Sequence, residues 1–196
     1  MPPSTSRPSS FAIDLPAALL VRARSGEAAA LEAIYRAFER PVYTLGLRLC
    51  GSPDEARDVL QDTMVRVIDR IGTWRGDGAP FWGWLRQVAV NECLMRLRRR
   101  RELDDLDPLL DSLADDLAPP PPAAGDAAAL QRALAQLPAT TRSVLWLYHA
   151  EGYTHEEIAA LMTRSVSFSK SQLARGTRRL RGLLEPRSTA REVTHA

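Results

Sequence analysis

The chain has 196 residues, which allows one ordinary domain or two small ones, and its 45% hydrophobic and 26% charged residues are typical of a soluble globular protein. With only 6% aromatic residues, the core must consist of Leu, Ala, Val and Ile, a composition that favours helices. The longest early apolar run, 15–21, is too short to span a bilayer, and the Pro/Ser-rich start differs from a signal peptide, so we expect a cytoplasmic protein without a membrane partner.

Positive and negative charges are segregated along the chain, although the net charge is only +2. Residues 86–101 are rich in arginine, residues 102–126 are acidic without a base, and residues 164–181 are basic without an acid. Two basic blocks around an acidic one indicate two anion-binding surfaces joined by a tether. The simpler alternative for each block is a solvated helix face.

The first half of the chain has the pattern of a small helical domain. We predict a disordered tail over 1–16 and then helices over 17–101, because apolar residues recur there every three or four positions. Pro41 is expected to interrupt one helix, and Gly-Ser-Pro at 51–53 to end it and cap the next. The Gly-rich segment 72–80 reads as a loop before a helix that runs into the arginines.

The second half adds a linker and another helical domain. The acidic stretch 102–126 contains a run of four prolines and cannot bury enough apolar surface to fold alone, which predicts a flexible linker. Helices follow over 127–184, and residues 185–196 form a tail. Only residues 163–165 separate the last two helices, the spacing of a helix-turn-helix. We therefore predict an all-α protein of two small helical domains with a flexible acidic linker.

Helical periodicity divides the last predicted helix into two faces. One face is suited to packing and carries Val166, Ser169, Leu173, Thr177 and Leu180. The opposite face carries Phe168, Ser171, Arg175 and Arg178, with Lys170 and Gln172 on the flanks. A helix that presents Arg, Gln and Ser to solvent can enter a major groove, whereas a plain amphipathic helix in a bundle is the alternative.

Two further segments have the composition of binding surfaces. Trp74, Phe81, Trp82 and Trp84 lie in and beside the Gly-rich loop; we expect Phe81 and Trp84 to pack in the core, while exposed aromatics next to arginines can stack on unpaired bases. The helix after Pro53 begins with several acids, which either favour the helix dipole or form a docking face for a protein partner.

The sequence gives no indication of a catalytic or metal site. His149, His155 and His195 do not join Cys50 or Cys93 at any ligand spacing, and we expect both cysteines to be buried free thiols. Neither a nucleophile elbow nor a Walker-type loop is present. We therefore expect a protein that is not an enzyme and has no cofactor and no metal.

Three segments in this order resemble the ECF group of bacterial RNA polymerase sigma factors, across roughly residues 17–184. They read DEARDVLQDT at 54–63, WRGDG and FWGWLRQVAVN within 74–91, and GYTHEEIAA followed by KSQLAR within 152–175. The resemblance implies sigma domain 2 over 17–101, sigma domain 4 over 127–184, and a function in directing core polymerase to promoters by −10 and −35 recognition and promoter opening. The implied partners are promoter DNA and the polymerase core, through the β′ clamp helices and the β flap; an anti-sigma factor is common in the family.

The resemblance also implies roles for individual residues. The residues that it implies for docking on the β′ clamp helices are Asp58, Gln61 and Asp62. Those that it implies for binding the −10 element, including capture of a flipped base by the loop, are Trp74, Arg75, Asp77, Asn91 and Arg98. Those that it implies for reading the −35 element are Lys170, Ser171, Gln172, Arg175 and Arg178. The acidic linker would thread the active-site cleft and RNA exit path as a nucleic-acid mimic, or serve as a solvated spacer.

This sequence departs from the family pattern at three places. The turn of the helix-turn-helix usually reads Gly-Ile-Ser but is Thr-Arg-Ser at 163–165, and the usual Gly-Thr-Val after it is Ser-Phe-Ser at 167–169. Met95 stands where the family often has Asp. We expect the unusual Phe168 to contact a thymine methyl group or a partner protein.

Two other classes of protein fit parts of the pattern. A helix-turn-helix repressor would read DNA without polymerase and would usually dimerise to bind two half-sites. An all-α interaction protein or enzyme would have merely solvated basic faces. A monomer that co-purifies with polymerase core would argue against the first class, and salt-insensitive behaviour without DNA binding would favour the second.

Overall fold

The computed structural model describes residues 9–76, 80–106 and 125–184. Most of these residues are helical and none of them is in a strand, so the all-α prediction is confirmed for them. The described helices are α1 (Ala17–Arg24), α2 (Ala28–Cys50), α3 (Pro53–Arg70), α4 (Phe81–Leu106), α5 (Gly125–Ala135), α6 (Ala139–His149), α7 (His155–Met162) and α8 (Val166–Leu184), with a 3₁₀ turn at Ile71–Thr73. We call α1–α4 the N-terminal bundle and α5–α8 the C-terminal bundle.

Helix α2 is the central helix of the N-terminal bundle and packs against α1, α3 and α4. Pro41 was expected to interrupt it, and this was wrong, because the helix continues from Ala28 to Cys50 through the proline. A proline inside a helix removes one hydrogen bond and costs about 3 kcal/mol. The neighbouring Phe38 and Val42 are both fully buried, and this burial on either side of the proline offsets the cost.

The segment before α1 belongs to the core. We predicted a disordered tail over 1–16; this is wrong for residues 9–16, since Phe11 is fully buried and its ring stacks on Phe38 at 6.4 Å between centroids. Ile13 and Leu15 pack against the same core. Burial of three apolar side chains fixes this short segment, which has no helical periodicity to reveal it. Residues 1–8 lie outside the described part.

Helices extend into both ends of the predicted linker. Helix α4 continues to Leu106 instead of ending at residue 101, because the next helix-breaking residue after the arginines is Pro108. Helix α5 begins at Gly125, two residues earlier than predicted. The remaining linker residues, 107–124, and the predicted tail over 185–196 lie outside the described residues.

The C-terminal bundle contains the predicted helix-turn-helix, formed by α7 and α8. Thr154 and Glu157 make a capping box at the start of α7, as the sequence indicated. The turn passes through Thr163, whose φ of 54° is left-handed, and the Ser165 hydroxyl then accepts a hydrogen bond from the Phe168 amide at the start of α8. These local bonds fix where each helix begins.

Helix α8 crosses α6 at Gly176, which is buried. A Cβ atom at this position would lie only 2.6 Å from Thr141 Cγ2 and 2.7 Å from Leu145 Cδ1. The absence of a side chain therefore sets how closely the two helices approach, and with it the position of α8 in the bundle.

One hydrophobic core spans both bundles. The buried cluster of the N-terminal bundle also contains Val144, Leu147, Tyr153 and Ile158 from the C-terminal bundle. Helix α6 packs against α2, and α7 approaches α4. The two bundles are therefore in direct contact, an arrangement for which the sequence carried no expectation.

Both cysteines are free and buried, as predicted. The fold nevertheless brings them together, although they are far apart in sequence. A hydrogen bond with Cys50, together with burial, holds the pKa of the Cys93 thiol well above its usual range. The Cys93 thiol therefore stays protonated and weakly reactive. No helix in the described ranges combines the length and the apolar character needed to cross a bilayer.

Candidate nucleic-acid and protein interfaces

Helix α8 presents most of the residues that were expected to read the −35 element. Lys170, Ser171, Arg175 and Arg178 are exposed, whereas Ser169 on the opposite face is fully buried. The division into two faces that periodicity predicted is therefore present. Four polar or cationic side chains on one helix face can reach base edges and phosphates together.

Gln172 and Phe168 are less accessible than the sequence indicated. Gln172 is half-buried, and its side-chain oxygen accepts a hydrogen bond of 2.7 Å from the Thr141 hydroxyl of α6. Phe168 is half-buried and lines a small cavity of about 70 Å³ with Leu94 and Leu97 of α4. Phe168 therefore faces the N-terminal bundle of its own chain across this cavity.

The second basic block forms a cationic surface. Its members are Arg164, Lys170, Arg175, Arg178, Arg179 and Arg181, and all six are exposed. None of them forms an ion pair with any acid that the structure describes. Their charge is therefore available for phosphate oxygens.

His155 and Tyr148 support α8 from behind. The Nδ1 atom of His155 lies 2.9 Å from the Ser169 hydroxyl, and the His155 ring stacks on Tyr148 at 4.8 Å. No role was predicted for His155. Its contact with Ser169 shows that it positions α8, whose opposite face is cationic.

The Gly-rich loop carries the first −10 candidates. The half-buried Trp74 packs edge-on against Phe81 at 5.4 Å, and Arg75 is exposed. A surface cavity of about 560 Å³ is lined by Arg24, Gly72, Thr73 and Arg75. The candidate Asp77 lies outside the described residues.

Phe81 is the core aromatic of this loop region. It is 5% exposed, which confirms its expected packing, and it contacts Phe38 and Trp84. Trp84 and Trp82 are only half-buried against the core. The Arg86 guanidinium lies 5.5 Å from the Trp82 ring, a cation–π distance.

The other −10 candidates lie on one stripe of α4, formed by Gln87, Asn91, Leu94 and Arg98. Their spacing of four, three and four residues places them on the same helix face. Asn91 is exposed, and its side-chain oxygen accepts a hydrogen bond of 3.4 Å from Gln87. Arg98 donates a hydrogen bond of 2.6 Å to the backbone oxygen of Leu161 in α7. We call these four residues the α4 stripe.

The acidic docking candidates on α3 are engaged with a residue of their own chain. Asp58 and Gln61 are exposed and Asp62 is half-buried. Arg96 of α4 bridges the two acids, at 3.2 Å from Asp58 and 2.5 Å from Asp62. The first basic block is therefore partly neutralised, and its anion-binding surface is smaller than the sequence indicated.

A more deeply buried ion pair joins the same two helices. Glu92 of α4, whose side chain is 3% exposed, pairs with Arg66 of α3 at 2.5 Å. Burial raises the pKa of the Glu92 carboxyl above its ordinary value, and the Arg66 guanidinium opposes this rise. The pair fixes α3, with its docking candidates, against α4, with its −10 candidates.

Sequence reasoning missed several residues that build these interfaces. Arg96 and Glu92 lie in the first basic block, for which a solvated helix face was the alternative, and Arg66 was not singled out, because the partners of these residues lie on another helix. Arg142, the only arginine in the largely apolar α6, is 7% exposed. An isolated arginine among apolar residues is a signal that could have drawn attention to it.

No group of three or more His, Cys, Asp or Glu side chains that could hold a metal ion occurs in the described part of the chain.

Residues 34–102 match the family model for sigma-70 region 2, and residues 127–180 match that for sigma-70 region 4. The chain is 31% identical over 173 residues to the ECF RNA polymerase sigma factor SigM of Mycobacterium tuberculosis, a match that covers 86% of this chain and 84% of that protein. It is 27% identical over 180 residues to the RNA polymerase sigma-H factor of Pseudomonas aeruginosa, covering 86% of this chain and 93% of that protein.

Two solved structures share the fold. The sigma factor RpoE of Bartonella quintana, solved with the anti-sigma factor NepR, has a TM-score of 0.57 at 22% identity and covers 80% of this chain and 97% of that one. CnrH, solved with the cytosolic domain of CnrY, has a TM-score of 0.52 at 22% identity, covering 87% and 97%. With both sigma-70 regions matched in order on two helical bundles, the chain belongs to the ECF group of RNA polymerase sigma factors, the subunits that direct the polymerase to specific promoters.

Proposed function

We propose that the two bundles divide promoter recognition: α8 reads the −35 duplex, while the N-terminal bundle docks on the polymerase core and binds the −10 strand. The observation that carries this proposal is the exposed face of α8, on which cationic side chains without an acidic partner among the described residues project from a helix-turn-helix. Such a helix fits the major groove, and its arginines can form paired hydrogen bonds with guanine.

Within this division, Lys170, Ser171, Arg175 and Arg178 are the base-reading residues. Gln172 can join them only if its hydrogen bond with Thr141 opens, so we assign it first to positioning α8. Arg179 and Arg181 follow at the far end, where they suit phosphates.

Arg175→Ala should weaken binding to the −35 duplex by about 1–3 kcal/mol and leave binding to scrambled DNA much less affected, because a base contact carries sequence information. The measurement is fluorescence anisotropy of the full chain on both duplexes. Arg181→Ala is the matched control: it should weaken both duplexes equally and reduce the log–log salt slope by about 0.9. Equal losses for Arg175→Ala on the two duplexes would rule out base reading.

The N-terminal bundle supplies the second contact with the promoter. We propose that the non-template strand of the −10 element lies along the α4 stripe, with Asn91 and Arg98 as ligands, and reaches the loop at Trp74 and Arg75. The cavity beside Arg75 supports this assignment, since a cationic surface next to an aromatic ring can hold an unpaired base and its phosphate. Asp77 stays a prediction from the resemblance.

Helix α3 is the docking element for the β′ clamp helices. Asp58, Gln61 and Asp62 present two acids and an amide on one exposed surface, and the bridge from Arg96 holds both carboxylates in place. Preorganised charges lose less side-chain entropy on binding. The β flap would receive the C-terminal bundle.

Replacing Asp58 and Asp62 together with asparagine should weaken association with core polymerase by about 1–2 kcal/mol, because two charges of the docking surface are lost. The fold should survive, since exposed ion pairs contribute about 0–1 kcal/mol. The measurement is titration of labelled chain with core enzyme. Glu39→Gln removes an exposed acid of α2 and serves as the control; equal affinity of the control and the double variant would exclude this docking face.

We propose that the chain acts only by recognising promoter and polymerase, with no catalytic step, no cofactor and no metal. It works in the cytoplasm with the polymerase. The structure of the sigma factor RpoE with the anti-sigma factor NepR supports an anti-sigma factor as a further partner. The experiment for the whole proposal is run-off transcription with core polymerase on genomic DNA. Start sites that appear only with this chain are expected, and an unchanged transcript pattern would refute it.

A further inference from the structure

We propose that Arg24, at the end of α1, is a second phosphate ligand beside the Gly-rich loop and holds the −10 strand next to its captured base. The residues assigned to the −10 strand lie on α4 and in the loop, and none of them comes from α1. This inference rests on the proposed path of the strand along the α4 stripe to Trp74 and Arg75. The evidence for it is a cationic cavity that α1 and the loop form together.

The cavity has walls from two segments that are far apart in sequence. Arg24 comes from α1, whereas Gly72, Thr73 and Arg75 come from the 3₁₀ turn and the loop after it, and together they line a volume of about 560 Å³. All four residues are exposed. The two segments meet because α1 packs directly on the 3₁₀ turn. Two guanidinium groups therefore share one open cavity.

The charge of this cavity is not neutralised by the part of the chain that the structure describes. Neither Arg24 nor Arg75 forms an ion pair with an acid in residues 9–76, 80–106 or 125–184. Two like charges beside one cavity repel each other, and an anion bound between them relieves this repulsion. The cavity is therefore suited to a negatively charged ligand.

The lining selects a phosphate among such ligands. A guanidinium presents its N–H donors as a planar fork that matches the oxygen atoms of a phosphate. The described lining contains no apolar side chain, so an apolar ligand would gain little there. At Gly72 the space that a Cβ atom would occupy is empty, which leaves room for the backbone of a strand.

The backbone that carries Arg24 is held firmly. Gly26, with a φ of 82°, donates from its amide to the Ala23 oxygen at 3.0 Å, and the Glu27 amide donates to the Arg22 oxygen at 3.1 Å. These two hydrogen bonds close the end of α1 in a Schellman motif. Ala23 is 1% exposed and anchors the helix on the core. Arg24 therefore projects from a fixed helix end.

The loop side of the cavity is held as well. The Trp74 amide donates to the Ile71 oxygen at 3.2 Å, and the Trp74 ring packs edge-on against Phe81, the first residue of α4. Arg75 follows directly after this fixed ring. Both walls are thus in place before a ligand arrives, which reduces the entropy lost on binding.

The position of the cavity fits the proposed path of the strand. A strand that follows the α4 stripe towards Phe81 arrives at Trp74, where a base can stack beside the ring while cations hold its phosphates. Arg75 is the next residue, and Arg24 lines the same cavity from the other wall. Arg24 therefore extends the cationic track of the loop by one phosphate.

Arg22 provides a matched comparison for Arg24. A cation in the last turn of a helix also complements the helix dipole, and both arginines lie in the last turn of α1. Both are exposed, but Arg22 pairs with Glu27 and does not line the cavity. A role at the helix end would be common to the two residues, whereas a role in binding the strand would belong to Arg24 alone.

The first experiment uses the full chain bound to core polymerase and a fluorescent single-stranded oligonucleotide that carries the −10 strand of a promoter mapped by run-off transcription. Anisotropy at several salt concentrations gives the affinity and its log–log salt slope. We expect Arg24→Ala to weaken binding about tenfold and to reduce the slope by about 0.7, the value for one phosphate of a single strand. Arg24→Lys should keep the slope, because it keeps the charge, and should lose part of the affinity with the planar fork. Arg22→Ala should change neither quantity.

The second experiment tests the contact from the side of the DNA. In each of a set of oligonucleotides, one phosphate near the captured base is replaced by an uncharged methylphosphonate. One of these replacements should weaken binding to the wild-type chain and should have little further effect on Arg24→Ala, because both changes remove the same contact. An effect of Arg24→Ala that is equal on every oligonucleotide would overturn the contact with a strand phosphate.

Two further outcomes separate this inference from the proposed function. Trp74→Ala removes the ring of the loop, and a loss of affinity with Trp74→Ala but not with Arg24→Ala would overturn the role of Arg24 while leaving the path of the strand in place. Unchanged affinity with both Trp74→Ala and Asn91→Ala would overturn that path, and the role of Arg24 with it. Equal losses with Arg22→Ala and Arg24→Ala would show an effect of the helix end and would also overturn the inference.

Discussion

Phe38→Ala should lower the free energy of unfolding by about 3–5 kcal/mol, the largest stability effect expected in this chain. Phe38 is fully buried in α2, and its ring contacts two others, stacking on Phe11 and meeting Phe81 edge-on at 6.1 Å between centroids. Removing it leaves a cavity and also removes two aromatic pairs. The segment before α1 and the start of α4 should both loosen, because each is anchored on this ring.

Denaturant unfolding followed by circular dichroism measures this effect. Phe38→Leu keeps most of the volume and should cost clearly less. Tyr35→Ala truncates an aromatic residue of the same helix that is 40% exposed, and should cost about 1 kcal/mol or less. If Phe38→Ala and Tyr35→Ala destabilise the chain equally, Phe38 does not have the central place in the core described above.

Arg66→Met should lower the free energy of unfolding by about 3 kcal/mol at neutral pH, because it leaves the Glu92 carboxylate buried without its cation. This is the low end of the range for a broken buried ion pair, since the Arg66 side chain is 38% exposed. Arg36→Met, which breaks the exposed pair with Glu32 on α2, should cost at most about 1 kcal/mol. A cost for Arg66→Met no larger than for Arg36→Met would contradict the buried pair.

The contribution of Glu92 to the free energy of unfolding depends on pH with a definite sign. Burial raises the folded-state pKa of Glu92 above its ordinary value of 4.5, so the folded chain binds this proton more tightly than the unfolded chain does. The favourable contribution of this group is present below the ordinary value and is lost as the pH rises through the folded pKa. Without Arg66 the folded pKa rises further, so the stability gap between Arg66→Met and the wild type should shrink on acidification. Adding Glu92→Gln to Arg66→Met should recover part of the loss at neutral pH.

The ion pair also links the two proposed binding surfaces of the N-terminal bundle. Glu92 lies beside Asn91 on α4, and Arg66 lies one helical turn beyond Asp62 on α3. We therefore expect weakening of this pair to disturb the proposed polymerase docking and −10 binding together, and Arg175→Ala to disturb only the proposed −35 reading. A transcription assay with promoters that lack a −35 match can separate the two classes of variant.

Local signals explain where sequence reasoning succeeded. The capping box of Thr154 and Glu157, the break at Gly51 and the two faces of α8 each depend on residues within a few positions of one another. The family resemblance in three segments likewise rests on contiguous stretches. For that reason the helices, the helix-turn-helix and the exposed Arg175 face could be predicted from the order of residues alone.

Contacts between distant residues explain where it failed. Pro41 lies within a continuous helix because the residues on either side of it are buried, and Phe11 joins the core through Phe38. Gln172 turns away from solvent because Thr141, 31 positions earlier, offers a hydroxyl donor. Asp58 looked like a free acid until the fold placed Arg96, 38 positions later, beside it.

Sequence patterns alone identify the helices, their order, the two basic blocks and the family, because periodicity, caps and motifs lie within a few turns of chain. The pairing of charges and the way the two bundles meet depend on the assembled fold. Arg142 and the Leu49 backbone oxygen are 93 residues apart, and their hydrogen bond exists only because packing of α6 on α2 brings a buried cation to the end of a helix. Burial and helix-end geometry are properties of the assembled core, and no local pattern contains them.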